Sequence, residues 1–352
     1  MSERVAVVGA GVAGCGVADA LAGTDREVVV VEKARGVSGR AATRRKHGCR
    51  YDHGANYVKP GEDDEFTGVL ESFGVEGLHD VAEPVWVHDA DGDIQPGRER
   101  DARKWTYEAG ITQFAKRVLD ASDATVELET EIESLERDDA ASDDATATGP
   151  WSLVDADGER YAGFDRVVLT PPAPQTAALL AATAWDDDRR DAVRAAADGV
   201  AYRTVRTLVL HYDFRVDRPW YALVDPEQTH PVGWLAREEC KPGHVPDGES
   251  LLIAQMSPAW SVAHDDDPTE TAASAAADRV ADLLADDRYR DPNWVDSQGW
   301  RYALPENAAG DAVRAAEAAG LYCAGDWVVG DGRVHRAFEN GRTVGRRLRE
   351  RG

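Results

Sequence analysis

Residues Val5–Val8 form a short apolar run that breaks at Gly9-Ala10-Gly11-Val12-Ala13-Gly14, a G-x-G-x-x-G pattern. Ala13–Leu21 then has helix-compatible composition, and Val28–Val31 is a second apolar run. A strand, a glycine turn, a helix and a strand within about 30 residues make a βαβ unit. The first glycine permits the tight turn, the second lets a pyrophosphate approach the backbone, and the third lets the helix pack on the strand. Exposed amides at the helix N-terminus stabilise phosphate charge. Glu32 closes the second strand, 18 residues beyond Gly14, where its carboxylate can accept hydrogen bonds from a ribose hydroxyl. Gly9, Gly11, Val12, Ala13, Gly14 and Glu32 are therefore candidate dinucleotide ligands.

The following segment, Lys33–Arg45 (KARGVSGRAATRR), contains Gly36-x-x-Gly39-Arg40 directly after the ribose carboxylate. Glycines beside arginines suit a loop wrapped around a longer anionic cofactor, because a guanidinium offers planar, multidentate donors to phosphate. Lys33, Arg35, Gly39 and Arg40 join the candidate ligands, and the cofactor they point to is FAD rather than NAD.

At this point the chain resembles the FAD-dependent amine oxidase superfamily, and more closely its renalase-like branch. The resemblance runs through Asp52-His53-Gly54-Ala55-Asn56-Tyr57, TPPAPQTAALL (170–180), MSPAWS (256–261), Trp300-Arg301-Tyr302-Ala303 and GLYCAGDWVVGDGRVHRAFENG at the C-terminal end. It implies that His53, Gly54, Ala55 and Asn56 lie near the flavin. It also implies that Asp326, after Gly325, binds the ribityl chain, and that the helix opening at Arg333 and Val334 faces the pyrimidine end of the ring. The amides there would stabilise charge on a reduced flavin. Neither Cys49 nor Cys323 sits in a context known for covalent flavin attachment, so noncovalent FAD is expected.

The chemistry expected from the resemblance is oxidation of dihydro-NAD(P) isomers. Hydride passes to flavin N5 and O2 is reduced to H2O2. No side chain is assigned as acid or base. Tyr57, Trp234, Trp300 and Tyr302 are candidate aromatic walls of the substrate site, with His53 and His335 beside them. Trp327 is read as packing, and Arg301 and Arg237 as partners of a substrate phosphate or of surface carboxylates. The alternatives are an amine oxidase or flavin desaturase acting on a hydrophobic substrate, and a flavin-binding protein without turnover. The stretch 60–300 holds no second G-x-G-x-x-G unit and the chain no C-x-x-C, which argues against an NADPH-fed or disulfide reductase.

Composition narrows the setting. The formal charge of −25 repels nucleic acid and anionic membranes, and only six of the 40 basic residues are lysines. An acidic, lysine-poor surface suits concentrated salt, where the screening length falls to about 3 Å at 1 M, so a halophilic protein is expected. No apolar run of about 18 residues is present to span a membrane, and the N-terminus leaves no room for a signal peptide, which points to the cytoplasm. Four cysteines without metal-ligand spacing predict free thiols and no metal site.

The expected fold is α/β, a Rossmann-like FAD-binding domain with an inserted α+β substrate domain containing a mixed sheet. The FAD domain is read as residues 1–60, 105–170 and 300–352, and the substrate domain as 61–104 and 171–299. ATVELETEIESLER alternates like a strand, WSLVDADGERY reads as a hairpin turning at Asp157-Gly158, and the acidic tract Asp138–Pro150 as a solvated loop. The protein is expected as a monomer or homodimer, with a small substrate for which a nicotinamide nucleotide is a candidate.

Overall fold

Strand Arg4–Val8 lies at the middle of a five-stranded sheet in the computed structural model, which describes residues 2–61, 64–97, 103–138 and 149–351. Most of the acidic tract, residues 139–148, lies outside the described residues. The chain divides into two compact units, Met1–Arg40 with Phe114–Tyr202 and Leu304–Gly352, and Ala41–Gln113 with Arg203–Ala303.

The first unit is built on a parallel sheet ordered Leu321–Cys323, Arg166–Leu169, Arg4–Val8, Glu27–Val31, Thr125–Glu127. Val5, Ala6, Val7, Val167 and Val168 have no exposed surface, as expected of strands covered on both faces. From Arg4–Val8 the chain moves to Glu27–Val31 on one side and later returns as Arg166–Leu169 on the other. That reversal opens a crevice at the carboxyl end of the first strand, where Gly9 begins the glycine turn.

Helix Val12–Leu21 packs on the long C-terminal helix Val334–Glu350. A Cβ on Gly16 would lie 2.2 Å from the Phe338 carbonyl oxygen, and one on Gly341 would lie 2.1 Å from that of Ala13. The two ends of the sequence are joined by contacts that only glycine permits.

A smaller antiparallel sheet, Ile132–Arg137, Gly149–Asp155 and Arg160–Gly163, completes this unit. Asp155 Oδ1 accepts from the amides of Asp157 and Glu159, closing the turn read at Asp157-Gly158. The alternating stretch 124–137 is two strands in different sheets, broken where Glu129 takes φ +57°. Helices Ala173–Ala182 and Asp188–Asp198 also belong to this unit, so residues 171–202 fall outside the second unit to which the sequence reading assigned them. Their apolar faces supply Ala177, Leu180 and Val193 to the core around Trp151 and Trp185.

The second unit carries a mixed seven-stranded sheet ordered Trp294–Pro305, Tyr202–Tyr212, Ser250–Met256, Val232–Arg237, Ala222–Val224, Val85–His88, Ile94–Pro96. Helix Thr269–Leu284 buries Ala272, Ala273, Ala276, Ala277, Val280 and Leu284, a stripe at helical spacing that lets it pack close to the sheet. Residues 41–60 and 105–113, read as part of the FAD domain, lie in this unit. Hairpin Thr43–Lys46/Cys49–Asp52 is held here because buried groups converge on Asp52.

Candidate functional site

In the first unit the glycine turn forms a cradle of backbone donors. Gly9 has φ +102°, and a Cβ on Gly14 would come within 2.1 Å of the Gly9 carbonyl oxygen. A Cβ on Gly11 would meet nothing within 4 Å, so open space lies beside that residue. Helix Val12–Leu21 begins without a side-chain cap and without an acidic residue in its first turn, leaving its amides and positive pole for an anion. These features fit the pyrophosphate of a dinucleotide.

Glu32 organises the cradle. Its Oε2 accepts from the Ala10 amide and its Oε1 from the Ala34 amide, both at 2.8 Å. Each carboxylate oxygen keeps a further lone pair for a ribose hydroxyl. The Ser38 amide donates to the Ala10 carbonyl at 2.8 Å, docking the second glycine loop against the first. Ser38 is buried with φ +87°, local strain held beside the cradle. Lys33 pairs with Glu131 at the surface, 3.2 Å away, and Arg35 is exposed.

Arg40 and Asp326, read separately from distant motifs, meet directly. Arg40 Nη2 donates to Asp326 Oδ1 at 2.8 Å, and the Asp326 side chain is only 6% exposed. The Gly325 amide donates to Asn340 Oδ1 at 2.9 Å, and a Cβ on Gly325 would strike the Trp327 ring at 2.7 Å. Helix Val334–Glu350 also starts with neither side-chain cap nor first-turn acid. Arg333 is exposed beside Asp331, whereas His335 is buried in the first turn and Trp327 is fully buried in the core.

In the second unit, segment 52–57 is the centre of an aromatic and polar network. Trp234 Nε1 donates to Asn56 Oδ1, and Asn56 Nδ2 donates to the carbonyls of Asp52 and Gly54. Gln255 Nε2 donates to the Gly54 carbonyl at 2.6 Å. The Tyr57 ring lies 6.1 Å from Trp234, and His53 lies 5.4 Å from Trp300, whose Nε1 donates to the His53 carbonyl. Three of the four predicted aromatic walls, Tyr57, Trp234 and Trp300, thus share one network with His53, and Tyr302 lies two residues beyond Trp300 on the same strand.

His53 is 5% exposed, and its Nδ1 has no hydrogen-bond partner among the described residues. Burial, reinforced by the Arg44 guanidinium, pushes its pKa down to about 4. The ring is neutral at pH 7.

Reading the sequence missed the support beneath this segment. Asp52, Glu238, Lys241 and His244 are all buried. Lys241 Nζ lies 2.8 Å from Asp52 Oδ2 and 3.0 Å from Glu238 Oε1, and His244 Nδ1 lies 2.8 Å from Glu238 Oε1. Thr43 and the Ile111 amide also donate to Asp52 Oδ1. Burial raises the Asp52 pKa, but the charges of Lys241 and His244 and these hydrogen bonds hold it below the usual range. The only local hint was the close spacing of Glu238, Lys241 and His244. Arg237, offered to a substrate phosphate, is instead buried, donating to the carbonyls of Val216, Arg218 and Trp220 and pairing with Glu239. Arg301 is exposed.

A parallel α/β unit with a glycine cradle at its switch point has the form of a dinucleotide-binding fold. Residues 7–73 match the NAD(P)-binding Rossmann-like domain, and residues 98–349 match the flavin containing amine oxidoreductase family. The second match takes in more than half of the chain, which belongs to that family. The protein is an FAD-dependent oxidoreductase that binds FAD without a covalent link.

Among solved structures it is similar to a protein assigned as a protoporphyrinogen oxidase from Exiguobacterium sp. 255-15, with TM-score 0.77 and 16% identity over 100% of both chains. It is also similar to putrescine oxidase bound to putrescine, with TM-score 0.73 and 12% identity over 99% of each chain. Cyclohexylamine oxidase from Brevibacterium oxydans IH-35A gives TM-score 0.68 and 14% identity over 99% of this chain and 100% of that one. At such identities the likeness concerns the fold. No helix among the described residues is long and apolar enough to cross a membrane.

Proposed function

We propose that this oxidoreductase is renalase-like, oxidising dihydronicotinamide isomers whose hydride sits at the wrong ring carbon, with O2 as acceptor. In this reading the first unit binds FAD and the second receives the substrate. The observation that carries it is the segment 53–57 network, where a neutral His53 joins Trp300, Tyr57 and Trp234. Aromatic faces of this kind suit a flat, uncharged ring.

The chemistry the flavin supplies is hydride acceptance at N5, followed by reoxidation by O2 to give H2O2. Loss of hydride from a dihydropyridine leaves an aromatic pyridinium, so no side chain has to remove a proton. The residues are then required to bind, orient and exclude water. Asn56 and Gln255 fix the backbone and the Trp234 ring, while the buried charges around Asp52 brace the segment from beneath. In the first unit, Gly9–Gly14 and Glu32 are assigned to the pyrophosphate and ribose, and Arg40 and Asp326 to the flavin half of FAD.

Amine oxidation is the second reading, favoured by family membership and by the neutral His53, a potential acceptor for an amine proton. Anaerobic bleaching of the flavin with 2- and 6-dihydronicotinamides, compared with a panel of amines, separates the two. The renalase-like reading expects rapid bleaching by the dihydropyridines and peroxide on admission of air. Bleaching by amines alone overturns it. Composition also supports a halophilic enzyme, a reading tested by its response to salt.

A further inference from the structure

Cys49, His211 and Glu249 converge in the second unit, outside both the cradle and the aromatic network. One potential ligand atom from each lies within 4.8 Å of the others. Cys49 opens strand Cys49–Asp52, and His211 lies on strand Tyr202–Tyr212. Glu249 immediately precedes strand Ser250–Met256, which pairs with the histidine strand. Cys49 is 2% exposed, while the Glu249 side chain is 36% exposed and opens the cluster to solvent.

The histidine ring is held with Nε2 facing the carboxylate, so Nε2 is the nitrogen that an ion shared with Glu249 would take. One ring nitrogen, Nε2, lies 2.8 Å from Glu249 Oε2, and Trp294 stacks on the imidazole at 5.0 Å with 13° between planes. The other, Nδ1, has no hydrogen-bond partner among the described residues, although His211 is only 6% exposed.

A thiol, an imidazole and a carboxylate form a mixed S/N/O donor set suited to a borderline-soft divalent ion, not to the all-oxygen preference of calcium or magnesium. We propose that Cys49, His211 and Glu249 bind a zinc-type divalent cation, with water completing the coordination. On binding, the Cys49 S–H bond breaks, its proton passes to solvent and a sulfur–metal bond forms. Thiolate and carboxylate then balance the two positive charges.

The second acidic cluster in this unit behaves differently. Asp52, Glu238 and His244 also bring ligand atoms within 4.8 Å of one another, but the Lys241 ammonium already supplies their positive charge. Near the proposed site, Lys46 is engaged with the Val295 carbonyl at 2.8 Å and lies 5.4 Å from the Trp294 ring.

The test uses FAD-loaded, chelator-treated protein titrated with ZnCl2 by calorimetry, together with the Cys49→Ser and Glu249→Gln variants. The wild type should bind one Zn2+ per chain, and each variant should bind at least about tenfold more weakly, as expected on losing a ligand. Zn2+ should also raise the wild-type unfolding temperature, because it binds the folded chain. Flavin absorbance and circular dichroism establish that each variant is folded. Should Cys49→Ser fail to fold, Glu249→Gln, altered at the solvent-facing side chain, decides the matter. Failure of the wild type to take up Zn2+, or unchanged affinity in either folded variant, overturns the proposal.

Discussion

A neutral, buried imidazole makes acid stability partly a property of His53. Its pKa is about 4 in the folded chain against an ordinary 6.5, so the unfolded chain binds more protons between those values. The stabilisation is fully present above pH 6.5 and is lost as pH falls through 4, amounting at most to about 3 kcal/mol. Melting temperatures between pH 7 and 4.5 should fall less steeply for His53→Gln than for the wild type. Equal slopes would show that the ring contributes nothing in this window. Lys241→Met should be more damaging, because it leaves the Asp52 and Glu238 carboxylates buried without their ammonium. A loss of about 3–5 kcal/mol in urea denaturation is expected.

Helices Val12–Leu21 and Val334–Glu350 meet where side chains beyond hydrogen do not fit. A Gly341 side chain would collide with the Ala13 carbonyl, inside the turn that carries the phosphate cradle. Gly341→Val should therefore force the helices apart and weaken FAD retention by at least about tenfold, a change of roughly 1.4 kcal/mol. The ratio of flavin to protein absorbance after gel filtration measures it. Retention equal to the wild type would mean that the cradle does not depend on this packing. The first helix was legible because the glycine motif fixes its start. Its partner was legible only as a helix, since no local pattern says which carbonyl Gly341 must approach.

At the scale of the whole chain, 65 acidic and 40 basic residues give a self-repelling field. Salt shortens the range of that repulsion, so the unfolding midpoint should rise steadily from low to molar KCl. A midpoint that is flat or falls would remove the halophilic reading. The same scale explains the mixed legibility of the units. Residues 171–202 read as part of an insertion because their alanine-rich helices resemble those further along the chain. Ala177, Leu180 and Val193 place them in the first unit by packing, which composition does not encode.

The sequence by itself determined the glycine turn and the βαβ unit around it, because Gly9, Gly11, Gly14 and Glu32 fall within one short segment whose geometry follows from their spacing. It also determined the family resemblance carried by the motifs at both ends. Tertiary structure alone decided that Arg40 pairs with Asp326, that Lys241 neutralises Asp52, and that Cys49 approaches His211 and Glu249. The four cysteines had shown no metal-ligand spacing because that criterion sees only neighbours along the chain. Ion pairs and coordination depend on distances of a few ångströms in space, and those distances are set by how the sheets pair and pack.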